Sequence, residues 1–347
     1  KRNKMKILIS ALICSVFLGI DLDVNAQSST KKYIKKNSSA PITVYGDSNT
    51  YSRGLYIDTG LIYLGNSNGA IFQHDSDTEQ GELVLKFPRV TEIRDIESSG
   101  DYIFAMQSGT DGKLVKINRQ GPVGFVEYPE WKGVFFDAID FSGDVGFILG
   151  DPVGGKFSLF HTKDGGQNWT RCEGAPSAYK GEAAFAASGT NVRVMNDSTY
   201  MFISGGMRSN YYCTKNSGKT WTKVELPFYP GETIGAYSMC FMDEKIGVIV
   251  GGDYTQPSLK MNSTYYTYDG GKSWMNSMYP PRGYRSCVYF VNGVFYACGK
   301  NGIDFSMNNG KEWTAFADGA YFSLNSIEGK LIATMKHGKF KTFDLIK

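Results

Sequence analysis

Short apolar runs, each closed by glycine, asparagine or aspartate, set the rhythm of this chain. Gly146-Phe-Ile-Leu-Gly150, Tyr200-Met-Phe-Ile-Ser204, Ile246-Gly-Val-Ile-Val250 and Val294-Phe-Tyr-Ala-Cys298 read as strands with hairpin signals at their ends. Upstream, Leu61–Leu64, Ala70–Phe72, Tyr102–Met106 and Leu114–Ile117 continue the pattern, and downstream Phe322–Ile327, Leu331–Met335 and Phe340–Leu345 do the same. The chain is therefore expected to be all-β.

Between these runs one motif recurs four times: Thr162-Lys-Asp164-Gly-Gly166-Gln-Asn-Trp169, Thr214-Lys-Asn216-Ser-Gly218-Lys-Thr-Trp221, Thr267-Tyr-Asp269-Gly-Gly271-Lys-Ser-Trp274 and Ser306-Met-Asn308-Asn-Gly310-Lys-Glu-Trp313. In Ser/Thr-x-Asp/Asn-x-Gly-x-x-Trp the acid or amide bonds the backbone of its own turn, and the glycine takes positive φ. The tryptophan is expected to fill the seam beside the next sheet. This template is identified as the Asp-box, or BNR, repeat.

The tryptophans lie 52, 53 and 39 residues apart, which suits one four-stranded sheet per repeat. Two further sheets fit at about 48–88 and 89–130, and residues 320–346 supply three strands of a last one. Ile42–Tyr45 is expected to close the ring as the fourth. The count is a seven-bladed β-propeller, with six blades and a terminal hairpin as the alternative. Asp75-Ser-Asp77-Thr-Glu79-Gln-Gly81 resembles a calcium loop, but its glycine falls one place too late, so a decayed turn is expected.

Composition agrees: 41 Gly against 11 Pro, with 22 Tyr and 22 Phe, suits many turns between aromatic-rich strands. The net charge of +3 is uneven. Taking the eight bases and two acids of residues 1–36 from the totals of 37 and 34 leaves 29 against 32. A body so close to neutral has no general pull on nucleic acid.

The basic Lys1–Lys6, the apolar Ile7–Ile20 and the small Val24-Asn25-Ala26 predict a secretory signal over residues 1–26, with Met5 as a candidate start. A basic flexible linker is expected at 27–40 and a single propeller at 41–347. The mature protein is expected to be an exported monomer, periplasmic or extracellular, without a membrane span. Apart from Cys14 in the signal, five cysteines and three histidines are scattered without metal-site spacing, so no metal or cofactor is expected. Cys287 and Cys298 face each other across a hairpin turning at Asn292-Gly293, as a disulfide or as two buried thiols.

In a propeller the first strand of each blade lines the axial channel. By that rule Arg53, Arg94, Asp95, Asp137, Glu182, Tyr237, Tyr284 and Arg285 converge on one funnel, together with Ser238, Ser286 and Asn325. Such a cluster is either a self-neutralising ring of ion pairs or a clamp for an anion, since guanidinium forks suit carboxylates.

The segments Phe135-Phe-Asp-Ala-Ile139, Gly150-Asp-Pro152, Gly181–Ser188, Gly251-Gly-Asp-Tyr254 and Pro281-Arg-Gly-Tyr-Arg-Ser286 resemble the bacterial branch of the photosystem II stability/assembly factor-like propellers, over about residues 45–346. The resemblance implies seven Asp-box blades, no established catalytic residues, and binding of a partner through an arginine-bearing face, here Arg53, Arg94 and Arg285. It does not carry over the photosynthetic partner. The expected function is therefore non-catalytic binding of an envelope protein or an anionic or carbohydrate ligand.

The alternative is a sialidase-like glycoside hydrolase with the same three arginines, Tyr237 or Tyr284 as nucleophile activated by Glu182, and Asp137 as acid/base. Against it, the Phe/Tyr-Arg-Ile-Pro signature is replaced by Tyr51-Ser-Arg53-Gly. A xyloglucanase-type enzyme would need a cleft between two propellers. An oxidoreductase lacks support, with no dinucleotide, haem or paired-cysteine motif present.

Overall fold

Tight turns between apolar runs give each strand a partner next to it in sequence. At Asn292-Gly293 both residues take positive φ (52° and 82°), as a two-residue hairpin requires, and Cys287–Val291 pairs with Val294–Gly299. Cys287 and Cys298 lie opposite each other in that ladder, both as buried free thiols.

The computed structural model describes residues 49–76, 81–86, 92–109 and 111–346. Among these, hairpins repeat into seven antiparallel sheets, and a 3₁₀ turn at Pro129–Trp131 is the only helix. The inner strands are Ser52–Asp58, Ile93–Ser99, Phe136–Ser142, Val192–Val194, Ile234–Phe241, Cys287–Val291 and Leu324–Ile327. Each lies beside the next, and the seventh lies beside the first. The fold is a seven-bladed β-propeller.

Five blades have four strands. The seventh shows three among the described residues, and the Ile42–Tyr45 strand expected to complete it lies outside them, as do the expected signal and linker. Residues 77–80 of the calcium-like loop also lie outside them. The ring is joined where Thr334 Oγ1 donates to Ser52 O (2.8 Å) and Tyr51 bridges Lys336, over apolar contacts of Ile62 and Leu64 with Ile332. The fifth sheet has six strands, because the short pair Glu182–Ala183 and Gly205–Gly206 adds to its inner edge.

The four motif turns share one hydrogen-bond scheme. The hydroxyl oxygen of Thr162, Thr214, Thr267 or Ser306 accepts the N–H of Gly166, Gly218, Gly271 or Gly310 (3.0–3.1 Å). Oδ1 of Asp164, Asn216, Asp269 or Asn308 accepts the N–H four residues on (2.9–3.0 Å). The glycines have φ of 75–84°.

Each of those glycines also touches the preceding blade. A methyl group would meet the Phe104 ring at Gly166, Cys172 Sγ at Gly218 (2.6 Å), the Tyr211 ring at Gly271 (2.5 Å) and Val248 at Gly310 (2.6 Å). The tryptophans do the same: Trp169 packs with Phe104 and Met106, Trp221 against Phe147 (5.8 Å), Trp274 against Tyr211 (5.5 Å) and Trp313 with Val248 and Val250. This corrects the expected direction. The turn joins the third and fourth strands of its own blade, and the chain leaves it with the indole on the face shared with the blade before, not the one after.

Candidate ligand pocket at the propeller axis

A cavity of about 390 Å³ opens at the inner strands. Arg53, Arg94, Asp137, Tyr237, Tyr284 and Ser286 line it, joined by residues that the inner-strand rule did not supply: Phe135, Asp151, Tyr254, Lys300, Tyr321 and Phe322. Ala184–Ala187 form a further part of its wall.

That wall departs from the expectation for blade 4. Its inner strand is Val192–Val194, not the segment around Glu182. Residues 184–190 instead run across the channel. Ala184 N–H donates to Asp151 (3.0 Å), Ala186 O and Ala187 O receive Arg94 and Arg53 (2.6 Å each), and Ser188 Oγ donates to Ser286 O (2.8 Å). Thr190 and Ser238 share a hydroxyl hydrogen bond of 2.5 Å. Gly189 fits because any Cβ there would collide with the Asp95 carboxyl. The small residues Ala184, Ala186, Ala187, Ser188 and Gly189 let the backbone pass between five blades.

Two arginines meet in the pocket, held from behind. Glu92 lies between them, with Oε1 3.4 Å from Arg53 Nε and Oε2 3.0 Å from Arg94 Nε. Tyr51 donates its phenol to Glu92 Oε2 (3.1 Å). Arg53 stacks over Tyr51 and Phe322 (5.0 and 5.3 Å) and Arg94 over Phe135 (5.7 Å). Each guanidinium thus places Nε within ion-pair distance of Glu92, without a hydrogen bond there, and donates Nη1 to a carbonyl. Nη2 of each makes no hydrogen bond among the described residues, and the side chains keep 21% and 25% of their exposure. Glu92 was missed from sequence, because it precedes the inner strand and the ladder shifts register at Arg94.

Opposite them stands Asp137, 1% exposed, with no hydrogen-bond partner at Oδ2. Burial, reinforced by the Asp151 carboxyl, pushes its carboxyl well above the usual range against the pull of Arg94. Burial also raises Asp151. Aromatic rings complete the wall: Phe185 stacks on Tyr237 (4.3 Å) and Tyr237 meets Tyr284 edge-on (4.8 Å). Burial pushes the phenols of Tyr237 and Tyr284 up, and Tyr237 donates to Thr233 O (2.8 Å).

Five expected funnel residues do not line the cavity: Ser238 and Asn325, and the charged Arg285, Asp95 and Glu182. Arg285 is fully buried between the pocket residues Tyr284 and Ser286, in the segment that leads into the inner strand of blade 6. There it donates from Nε and Nη2 to Asp304 Oδ2, and from Nη1 to Tyr284 O (2.8 Å) and Asn301 Oδ1 (2.5 Å). Asp95 faces away from its neighbour Arg94 and accepts the N–H of Ile96 and Ile139 (2.9 Å each). Burial pushes its carboxyl up to about 8. Glu182 is buried, accepting Ser204 Oγ (2.5 Å), Asn210 Nδ2 (2.8 Å), the Tyr212 phenol (2.8 Å) and Tyr179 N–H (2.8 Å). With its oxygens occupied and neither Tyr237 nor Tyr284 among its partners, it does not form the expected nucleophile pair.

Among the described residues no group of three or more His, Cys, Asp or Glu is placed to hold a metal ion, and no helix is long and apolar enough to cross a membrane. No match to a curated protein was found. Residues 157–293 match the Sortilin-Vps10 family model, described as sortilin, neurotensin receptor 3. Among solved structures, the WD40 β-propeller domain of Doa1 superposes with a TM-score of 0.62 at 8% identity, covering 89% of this chain and 96% of that one. Sqt1 of Saccharomyces cerevisiae gives 0.55 at 10% identity (87% and 98% covered), and the computationally designed Ika8 protein 0.52 at 12% (88% and 99% covered). These likenesses show the β-propeller fold and nothing finer.

Proposed function

We propose that this chain is an exported, non-catalytic binding propeller that takes a carboxylate-bearing ligand at its axis. The observation that carries the reading is the pair of guanidiniums lining an aromatic-walled cavity, each paired with Glu92 and held through Nη1 by a backbone carbonyl. Pinning removes the entropy of ordering two long side chains on binding. Arg53, Arg94 and Lys300 outweigh Glu92 and Asp151, so the site favours an anion. The partial match to a family described as a receptor supports a binding role, as does the resemblance to assembly-factor-like propellers. The motif turns are assigned as Asp boxes with a structural task, remote from the ligand.

Calorimetric titration tests the reading with two sources of the same group: glucuronate against its methyl ester, and triglycine with a free against an amidated C-terminus. One acid should bind and its neutral counterpart should not, and Arg94→Ala should weaken binding by roughly tenfold or more. Equal binding of acid and neutral forms, or none in any arm, would sink it.

The Tyr51–Glu92 hydrogen bond favours a second reading, a sialidase-like hydrolase with Tyr51 as nucleophile. Its weakness is that Glu92 is engaged by both arginines and that neither Tyr51 nor Glu92 lines the cavity. Turnover of a 4-methylumbelliferyl sialoside that disappears in Tyr51→Phe would establish it over the binding reading.

A further inference from the structure

We infer that Asp137 carries a proton in the folded protein and donates it in a hydrogen bond to the ligand carboxylate held by the arginines. This rests on the axial binding reading and assigns a specificity-determining residue within it. Asp137 lies on the inner strand of blade 3, lines the cavity, is 1% exposed, and has a buried Oδ2 without a hydrogen-bond partner among the described residues. An orphaned buried oxygen costs roughly 1–3 kcal/mol unless something pairs with it, and the cavity that Asp137 lines has room for a partner.

Every charged or titratable group around it bears on the proton. Asp151, on the second strand of the same blade, disfavours a second anion, and Arg94 of blade 2 favours one. Arg53 of blade 1, Tyr237 and Tyr254 of blade 5, Tyr284 and Lys300 of blade 6, and Tyr321 ahead of blade 7 line the same cavity. The backbone N–H groups of Ala186 and Asp151 also favour the anion, and burial outweighs them together with Arg94.

A neutral carboxylic acid beside two guanidiniums can give a ligand carboxylate a third donor. The ionised form would face it with a like charge. Nothing covalent changes: the proton stays on Asp137 and is shared with the ligand oxygen. A site built this way selects a carboxylate over a neutral amide or ester, and it loses affinity as Asp137 is deprotonated.

The test measures glucuronate and triglycine binding across a pH range in which both ligands stay ionised, from about 5.5 to about 8.5. Affinity for whichever acid binds should fall by roughly tenfold once rising pH takes the proton from Asp137. Asp137→Asn, which keeps a donor at every pH, should bind with a flat profile, and Asp137→Ala weakly throughout. Asp151→Asn should leave a slope, which separates the two acids. An infrared difference spectrum of parent minus Asp137→Asn at about pH 7 should contain the carbonyl stretch of a protonated carboxylic acid. A missing band, or the same slope in Asp137→Asn as in the parent, overturns the inference while carboxylate binding that depends on Arg94 still stands. No binding of either acid at any pH overturns both.

Discussion

Glycine does two jobs at Gly271, and they can be separated. Its φ of 82° already disfavours any side chain, and a methyl group would also lie 2.5 Å from the Tyr211 ring of the preceding blade. Gly293, in the hairpin of blade 6, has the same φ of 82° with nothing within 4 Å. Gly293→Ala should therefore cost only the left-handed backbone term, about 1–2 kcal/mol. Gly271→Ala adds overpacking of roughly 1–3 kcal/mol. Urea unfolding of the two variants reads the difference directly. Equal losses would mean that the seam gives way freely and that the glycine is there for its turn alone.

At the scale of the strand, what was legible followed from whether a residue's face could be told. The motif turns, the hairpins and the blade count were visible because glycine, asparagine and tryptophan occupy positions that only one local geometry satisfies. Tyr284-Arg285-Ser286 shows where that ended: these residues lead into the inner strand, and nothing in the sequence said which of the three faced the channel. Tyr284 and Ser286 border the pocket and Arg285 turns into the blade, and only a partner such as Asp304, 19 residues on, reveals which. The chain crossing at 184–190 was also hidden, since small residues fit a strand edge as well as a plug. Arg285 is therefore a stability residue. Asp304→Ala should strand a fully buried guanidinium and cost about 3–5 kcal/mol in equilibrium unfolding. Trp274→Ala should cost a similar roughly 3–5 kcal/mol by emptying the seam between blades 4 and 5. A loss under about 1 kcal/mol in Asp304→Ala would show that Arg285 turns out to solvent and reaches the ligand after all.

For the whole ring, the inner strands concentrate acids where water is scarce. Burial raises Asp95 to about 8 and lifts Glu97, Asp137 and Asp140, with Arg193 pulling the first and last of that trio partly back. A carboxyl whose folded-state value exceeds the unfolded one, about 3.9 for Asp, keeps its proton in the native protein after the unfolded chain has lost it. The native state then binds more protons, and stability falls as pH rises from about 4 to about 8. The rim turns act in the opposite sense. Asp269 is only slightly buried, and hydrogen bonds from Ser273 and Thr267 overcome that burial and hold its carboxyl at about 2. Its contribution is present above the unfolded value and is lost as pH drops towards 2. The two trends cross near pH 4–5, so the propeller should be most stable in mild acid and lose on the order of 2–5 kcal/mol by about pH 8. Urea midpoints across that range check this. A profile that rises from pH 5 to pH 8 would mean that water or a counter-ion reaches the channel acids and holds them ionised.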